Sequence, residues 1–346
     1  MHTPVSADSD ASSQRTLAEE QEEEERHPLR IKHGYPEEDL RPDKKANNLG
    51  RYSVQLGESF DNGRFVVVRK LRMGMNPNVW LARDMIENRL VSLKILNAIL
   101  NLSIVPKPGS SEADEIRMLV KIAEADPSHP GYKHFPALLH KFAIESGHGD
   151  HICLVTEVLC NGSKYFQGLP LEVGNPAWVG LDVYLPLGVV KELTRQMLRA
   201  VDYLHQKCGI VHCDIKPAHV LFRSKSIDRI ASKQLLTNPS IIAHGKTPSK
   251  LTALNSQPIP LPVQRGGKRK SRHEETVDWE VVLVDMGHSN WTAYHYYEGI
   301  QLLCYRAPEV ILRYPWTTEP NIWNIGCVVR IPSHHSSQPM TYFARR

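Results

Sequence analysis

Three short stretches hold residues able to do chemistry together. Lys94 stands inside an apolar run, Val91-Ser92-Leu93-Lys94. A charge placed there is costly unless it is paired. Taken alone, Lys94 reads equally well as an edge lysine whose stem snorkels to water. Glu115 lies on the next run that reads as a helix and supplies a counter-charge. A strand lysine held by a helix glutamate is aimed at phosphate oxygens. The second stretch is His212-Cys213-Asp214-Ile215-Lys216-Pro217. An isolated His-x-Asp triplet is most often a surface turn. Here it follows Gly209-Ile210-Val211 and precedes Val220-Leu221-Phe222. In that setting Asp214 accepts the proton of a substrate hydroxyl, and Lys216 neutralises a transferring phosphoryl group. The third is Asp285-Met286-Gly287, at the end of the apolar run Val281-Val282-Leu283-Val284. An isolated Asp-x-Gly is usually a turn. Its place after Asp214 and before Ala307-Pro308-Glu309 makes it a carboxylate set to hold Mg²⁺ against phosphates.

Positioning these groups requires strands first and helices after. Residues 64–71, 78–84 and 89–96 are β-branched-rich runs separated by turn signals, which predicts three antiparallel strands. Residues 112–124 predict a helix, with Ser110 or Ser111 as its N-cap. Two more strands are predicted around 135–144 and 151–158. A long helix is predicted at about 187–206, because Val190, Leu193, Met197, Val201 and Leu204 recur every three or four residues. A further helix is predicted at 320–329. Residues 223–276 are rich in Ser, Thr, Asn, Pro and Lys and read as a mobile insert. The order predicts an α+β architecture in two lobes. Its divisions are a disordered lead-in at 1–49, an N-lobe with hinge at 50–160, a partial C-lobe at 161–329 and an irregular tail at 330–346.

Composition narrows the class. The chain has 346 residues, 41% of them apolar, and a formal net charge of only +4. A Glu-rich block from Glu19 to Glu25, interrupted by Gln21, opposes the basic positions elsewhere, so the net charge says little about partners. The cluster Lys268-Arg269-Lys270 is followed by Glu274-Glu275, a weak basis for nucleic-acid binding. Six cysteines form no Cys-x-x-Cys pair, which reads as reduced thiols rather than a disulfide framework or zinc site. No apolar run is long enough to span a bilayer. The expectation is a monomer of the cytoplasm and nucleus, without direct nucleic-acid or membrane partners.

The resemblance carried by these motifs is to the serine/arginine-rich-protein kinases. It rests on LGRYSVQLGESFDNGRFVVVRKL leading into VWLARD, and on DEIRML, TEVL, HCDIKP, YRAPEVILRYPW and IWNIGCVV, spread from about Gly50 to Val329. That family also has a spacer splitting its kinase domain, as the insert here does. The resemblance implies a two-lobed kinase fold, ATP and Mg²⁺ as cosubstrates, and serine in Arg/Ser-rich protein segments as acceptor. Catalytic positions would be Lys94, Glu115, Asp214 and Lys216. Thr156 would be the gatekeeper, and the backbones of Glu157 and Leu159 would meet the adenine. Leu71 and Val79 would roof it, Leu221 would lie beneath, and Gly74 would sit in the loop over the phosphates. Asp285 would hold metal, with His219 as a second ligand. The alternative is a catalytically impaired pseudokinase that binds or scaffolds.

That alternative comes from departures. The phosphate-covering loop keeps only Gly74, with Arg72 in place of its first glycine and Pro77 removing an amide. His219 replaces an asparagine, and imidazole is a poorer ligand for a hard cation. Met286 replaces a phenylalanine and fills the same apolar slot. Leu302 replaces a threonine, and Asn321 an aspartate that braces the catalytic loop. Cys213 removes the arginine that would read a loop phosphate. Past Val329 the resemblance stops. The expectation is a truncated or mis-spliced product whose last helix is poorly covered, with Glu309 left as a buried charge without its arginine.

Overall fold

The computed structural model describes residues 52–73, 78–97, 111–146, 149–162, 187–240, 242–246, 252–261, 278–296 and 298–330. The acidic lead-in, Gly74, Pro77 and the tail after Arg330 lie outside them.

Six strands build the first lobe: β1 (Ser59–Phe60), β2 (Phe65–Met73), β3 (Asn78–Asp84), β4 (Arg89–Ile95), β5 (Leu138–Ser146) and β6 (Gly149–Thr156). They form one antiparallel sheet in the order β1-β2-β3-β4-β6-β5. Alternation along β2 to β4 sends Phe65, Val67, Trp80, Ala82, Val91 and Leu93 into one apolar cluster. The ladder between β2 and β3 slips between Val67 and Arg69, and again between Lys70 and Arg72. The slips break the alternation, and the neighbours Arg69 and Lys70 are both buried.

Helix α1 (Ser111–Glu124) lies between β4 and β5 in the chain. Its buried residues Glu115, Met118 and Ile122 fall on one stripe at helical spacing. The second lobe is organised by α2 (Leu187–Tyr203), on which Val190, Leu193, Met197 and Val201 are buried as their spacing predicted. Tyr203 joins the two helices: its hydroxyl donates to the Ile122 carbonyl at 2.6 Å. The helix passes into a π-type turn, Leu204–Cys208, and ends at Gly209 with φ of 68°. That left-handed residue costs glycine little and turns the chain into the catalytic segment.

Short strands frame that segment. β7 (Cys160–Asn161) precedes α2, and β8 (Ile210–Val211) and β9 (Val220–Ser224) bracket the His212–His219 loop. Residues expected to open a mobile insert at 223 are structured. Arg223 and Ser224 complete β9, and α3 (Ile227–Thr237), β10 (Ile242–Lys246) and β11 (Thr252–Leu254) follow. The Arg69 guanidinium donates to the carbonyls of Gln234 and Asn238 at the end of α3. The Gln257 N–H donates to the Lys70 carbonyl at 2.8 Å, and the Asn161 N–H to the Ile259 carbonyl at 2.7 Å. Ile259 and Leu261 are buried in the main core with Val158, Phe222 and Trp279. A Ser- and Pro-rich stretch is thus fastened because its few apolar residues find a cleft and its backbone finds partners.

The remainder is β12 (Trp279–Leu283), β13 (Asn290–Trp291), α4 (Pro308–Ile311) and α5 (Glu319–Arg330). β12 pairs antiparallel with β9, and β13 with β8. On α5, Ile325 and Val328 are buried, while Ile322 is 48% and Trp323 44% exposed. Poor cover therefore affects one face of this helix, not the whole. Glu309 is half-buried rather than buried, so the full cost expected of an orphaned buried charge does not apply. The two-lobed α+β architecture is the one expected.

Candidate active site

The charged groups singled out in the sequence converge between the lobes. β4 carries Lys94, and pairing of Lys94 with Val79 on β3 and Leu154 on β6 fixes its place in the sheet. Its ammonium is ion-paired with Glu115 of α1 and lies 3.6 Å from Asp285 Oδ1. Burial pulls the lysine toward the neutral form, but Glu115 and Asp285 outweigh it and raise its pKa. Asp285 follows β12 in a left-handed conformation, φ 72° and ψ 74°, which turns its carboxylate back to the cleft. Burial favours its protonation, and Lys94, His219 and Arg72 overcome that to hold it well below the usual carboxylate range. Met286 is buried in the core beside Met118, so it fills the apolar slot expected of it.

The catalytic loop is braced at both ends. Cys213 also takes a positive φ, 63°. Its N–H donates to Asn321 Oδ1 of α5 at 3.1 Å, the uncharged brace expected of that asparagine. Lys216 Nζ donates to Asp214 Oδ2 at 2.8 Å. Asp214 therefore has one carboxylate oxygen engaged by the lysine that would meet the phosphoryl group. Leu302, where a threonine would bond both, is exposed.

His219 behaves differently from a metal ligand. Its Nδ1 donates to the Asp214 carbonyl at 2.9 Å, and its Nε2 lies 3.1 Å from Asp285 Oδ2. Arg72 of β2 reaches across the cleft, donates to the Ala218 carbonyl at 3.1 Å and places its second terminal nitrogen 3.1 Å from His219 Nε2. Both ring nitrogens are thus turned to protein partners. Among the described residues no three His, Cys, Asp or Glu side chains are arranged to hold a metal ion. A divalent ion here fits the Asp285 carboxylate with ligands completed by substrate phosphates and water, the usual mode for Mg²⁺. A second ion on His219 does not fit.

The expected nucleotide-binding positions lie on β2, β3, β6, β9 and the stretch between β6 and β7. Leu71 and Val79 join the core cluster that contains Val158, and Leu221 of β9 is half-buried opposite Asn161 of β7. Thr156 ends β6, and Glu157 and Leu159 lie between β6 and β7. Glu157 also has a side-chain role that the sequence did not disclose. Its carboxylate accepts from Arg223 Nε at 2.7 Å and from the Ala137 N–H at 3.0 Å. Arg223 in turn donates to Glu280 and to the carbonyls of Lys133 and Phe135, so one guanidinium clamps the hinge to β12. The outward place of Arg223 in Val-Leu-Phe-Arg-Ser was the available signal.

No known family profile matches the chain. The chain is similar to the protein kinase dsk1 of Schizosaccharomyces pombe, 27% identical over 81% of this chain and 62% of that protein. It is similar to the serine/threonine-protein kinase SRPK of Physarum polycephalum, 31% identical over 81% of this chain and 62% of that protein. It is 36% identical to SRSF protein kinase 3 of Mus musculus, over 50% of this chain and 27% of that protein. The chain thus spans at most 62% of the length of these relatives. A crystallised kinase domain superposes with a TM-score of 0.52 at 20% identity, covering 82% of this chain and 68% of that one, which shows the fold. With a strand lysine paired to a helix glutamate and a braced His-Cys-Asp loop, the chain has a protein-kinase fold and is similar in sequence to the SR-protein kinases over most of its length.

Proposed function

We propose that the chain is a serine/threonine protein kinase that transfers the ATP γ-phosphate to serine in Arg/Ser-rich protein segments, in the cytoplasm and nucleus. The observation that carries this reading is the assembled cleft. Lys94 is paired with Glu115 and stands 3.6 Å from Asp285, with the Asp214–Lys216 pair on the adjoining loop. The substrate class rests on relatives whose names specify SRSF and serine/threonine kinases.

The residues divide the work. Lys94 meets the nucleotide phosphates, and Glu115 fixes its direction. Asp214 accepts the hydroxyl proton as the serine oxygen attacks. Lys216, already bonded to Asp214, neutralises charge on the phosphoryl group in flight. A divalent ion bound at Asp285 would screen the β- and γ-phosphates.

The test is transfer of labelled γ-phosphate from ATP–Mg²⁺ to an Arg/Ser-repeat peptide. Asp214→Ala is expected to lower the rate about 10²–10⁴-fold, the usual worth of a positioned base. Equal transfer by the variant, or none by the folded wild type, overturns the proposal.

A further inference from the structure

Arg72 and His219 replace two residues that a phosphate cleft would ordinarily use for backbone approach and metal binding. They lie on opposite lobes, yet they touch. The contact joins a circuit in which both oxygens of Asp285 already face nitrogen: Oδ1 faces Lys94 at 3.6 Å and Oδ2 faces His219 at 3.1 Å. The ring of His219 is 2% exposed, so it does not swing aside without disturbing the loop that holds Asp214. The imidazole thus occupies the Asp285 Oδ2 side of the cleft, with the Arg72 guanidinium against its Nε2. Arg72 is permanently charged and carries five donors in a planar fork suited to phosphate. Its contacts to Ala218 and His219 employ only part of that fork.

We propose that this cleft binds nucleotide phosphates with no more than one divalent ion, the Arg72 guanidinium standing in for the second. The proposal rests on the nucleotide-binding reading above and deepens it. Arg72 supplies fixed positive charge from the N-lobe side. His219 orients the fork and keeps a second ion out. Part of the phosphate affinity is thereby metal-independent.

Two measurements on the full chain test it, both with a non-hydrolysable ATP analogue. The first counts Mn²⁺ bound per chain by electron paramagnetic resonance under saturating analogue. One ion is expected for wild type, and two for the Arg72→Gly/His219→Asn double variant. The second measures analogue affinity by calorimetry in EDTA. Arg72→Ala is expected to weaken it about ten- to hundredfold, the loss of one charge-assisted contact, and Arg72→Lys to recover part of that loss. Circular dichroism confirms that each variant is folded, and the wild-type ion count needs no variant. Two ions in wild type, or metal-free affinity unchanged in Arg72→Ala, overturns the proposal and leaves the kinase reading standing. No analogue bound with or without metal overturns both.

Discussion

His212 shows what a single buried ring contributes. It is fully buried, Nε2–H donates to the Val284 carbonyl at 3.1 Å, and Nδ1 accepts the Asp214 N–H at 3.3 Å. A second proton has no place to go without losing the latter bond. Burial, with His219 adding to it, pushes the pKa down to about 4. Between the ordinary value near 6.5 and this one, the unfolded chain binds a proton that the folded chain refuses. Stability therefore falls as the pH is lowered through that window. His134 and His205, both lowered by burial, push in the same direction. His212 alone is expected to remove about 2 kcal/mol between pH 7 and pH 5. Urea unfolding at the two pH values checks it, and a flat profile refutes it. At this scale the sequence disclosed much. Lys94 and Asp285 were legible because a charge inside or just after an apolar run needs a partner, and Glu115 because the following helix offered one. Arg72 and His219 were legible only as separate anomalies. They are 147 residues apart, and no local spacing announces that they meet.

Among the elements, α3 and the strand-like stretch after it depart furthest from expectation. Composition argued for a mobile linker, and composition is blind to where one or two apolar residues dock. Arg69 makes the docking consequential. It is wholly buried in β2, and its Nε and Nη1 have no hydrogen-bond partner among the described residues. What solvates it is the carbonyl end of α3, where the helix dipole is negative. Removing residues 227–261 would strand that guanidinium. The expected cost is about 3–5 kcal/mol, typical when a buried charge loses its partners. Chemical denaturation of the excised chain beside one that also carries Arg69→Met separates the causes. Recovery of most of the loss in the double change assigns it to the charge, and an excised chain as stable as the whole sinks the idea. The helices and strands themselves were readable, since α1, α2 and α5 each follow an apolar period that the core then uses.

Among the described residues, several large apolar side chains beyond the active site are exposed. Leu303, Ile311, Leu312, Tyr314 and Trp323 are all at least 44% exposed, on α4, α5 and the turns before and between them. Folded protein is therefore expected to bind a dye that reports apolar surface. Leu312→Glu with Trp323→Glu should abolish most of that signal while changing stability by no more than about 0.5 kcal/mol per site. Dye binding that persists in the double variant places the surface elsewhere. The lobes, meanwhile, are joined by more than the hinge at Glu157–Leu159. The stretch from Gln257 to Leu261 bonds to β2 on one side and to β7 on the other. Opening of the cleft must therefore strain these backbone bonds together with the Arg72 contacts to Ala218 and His219 and the approach of Lys94 to Asp285.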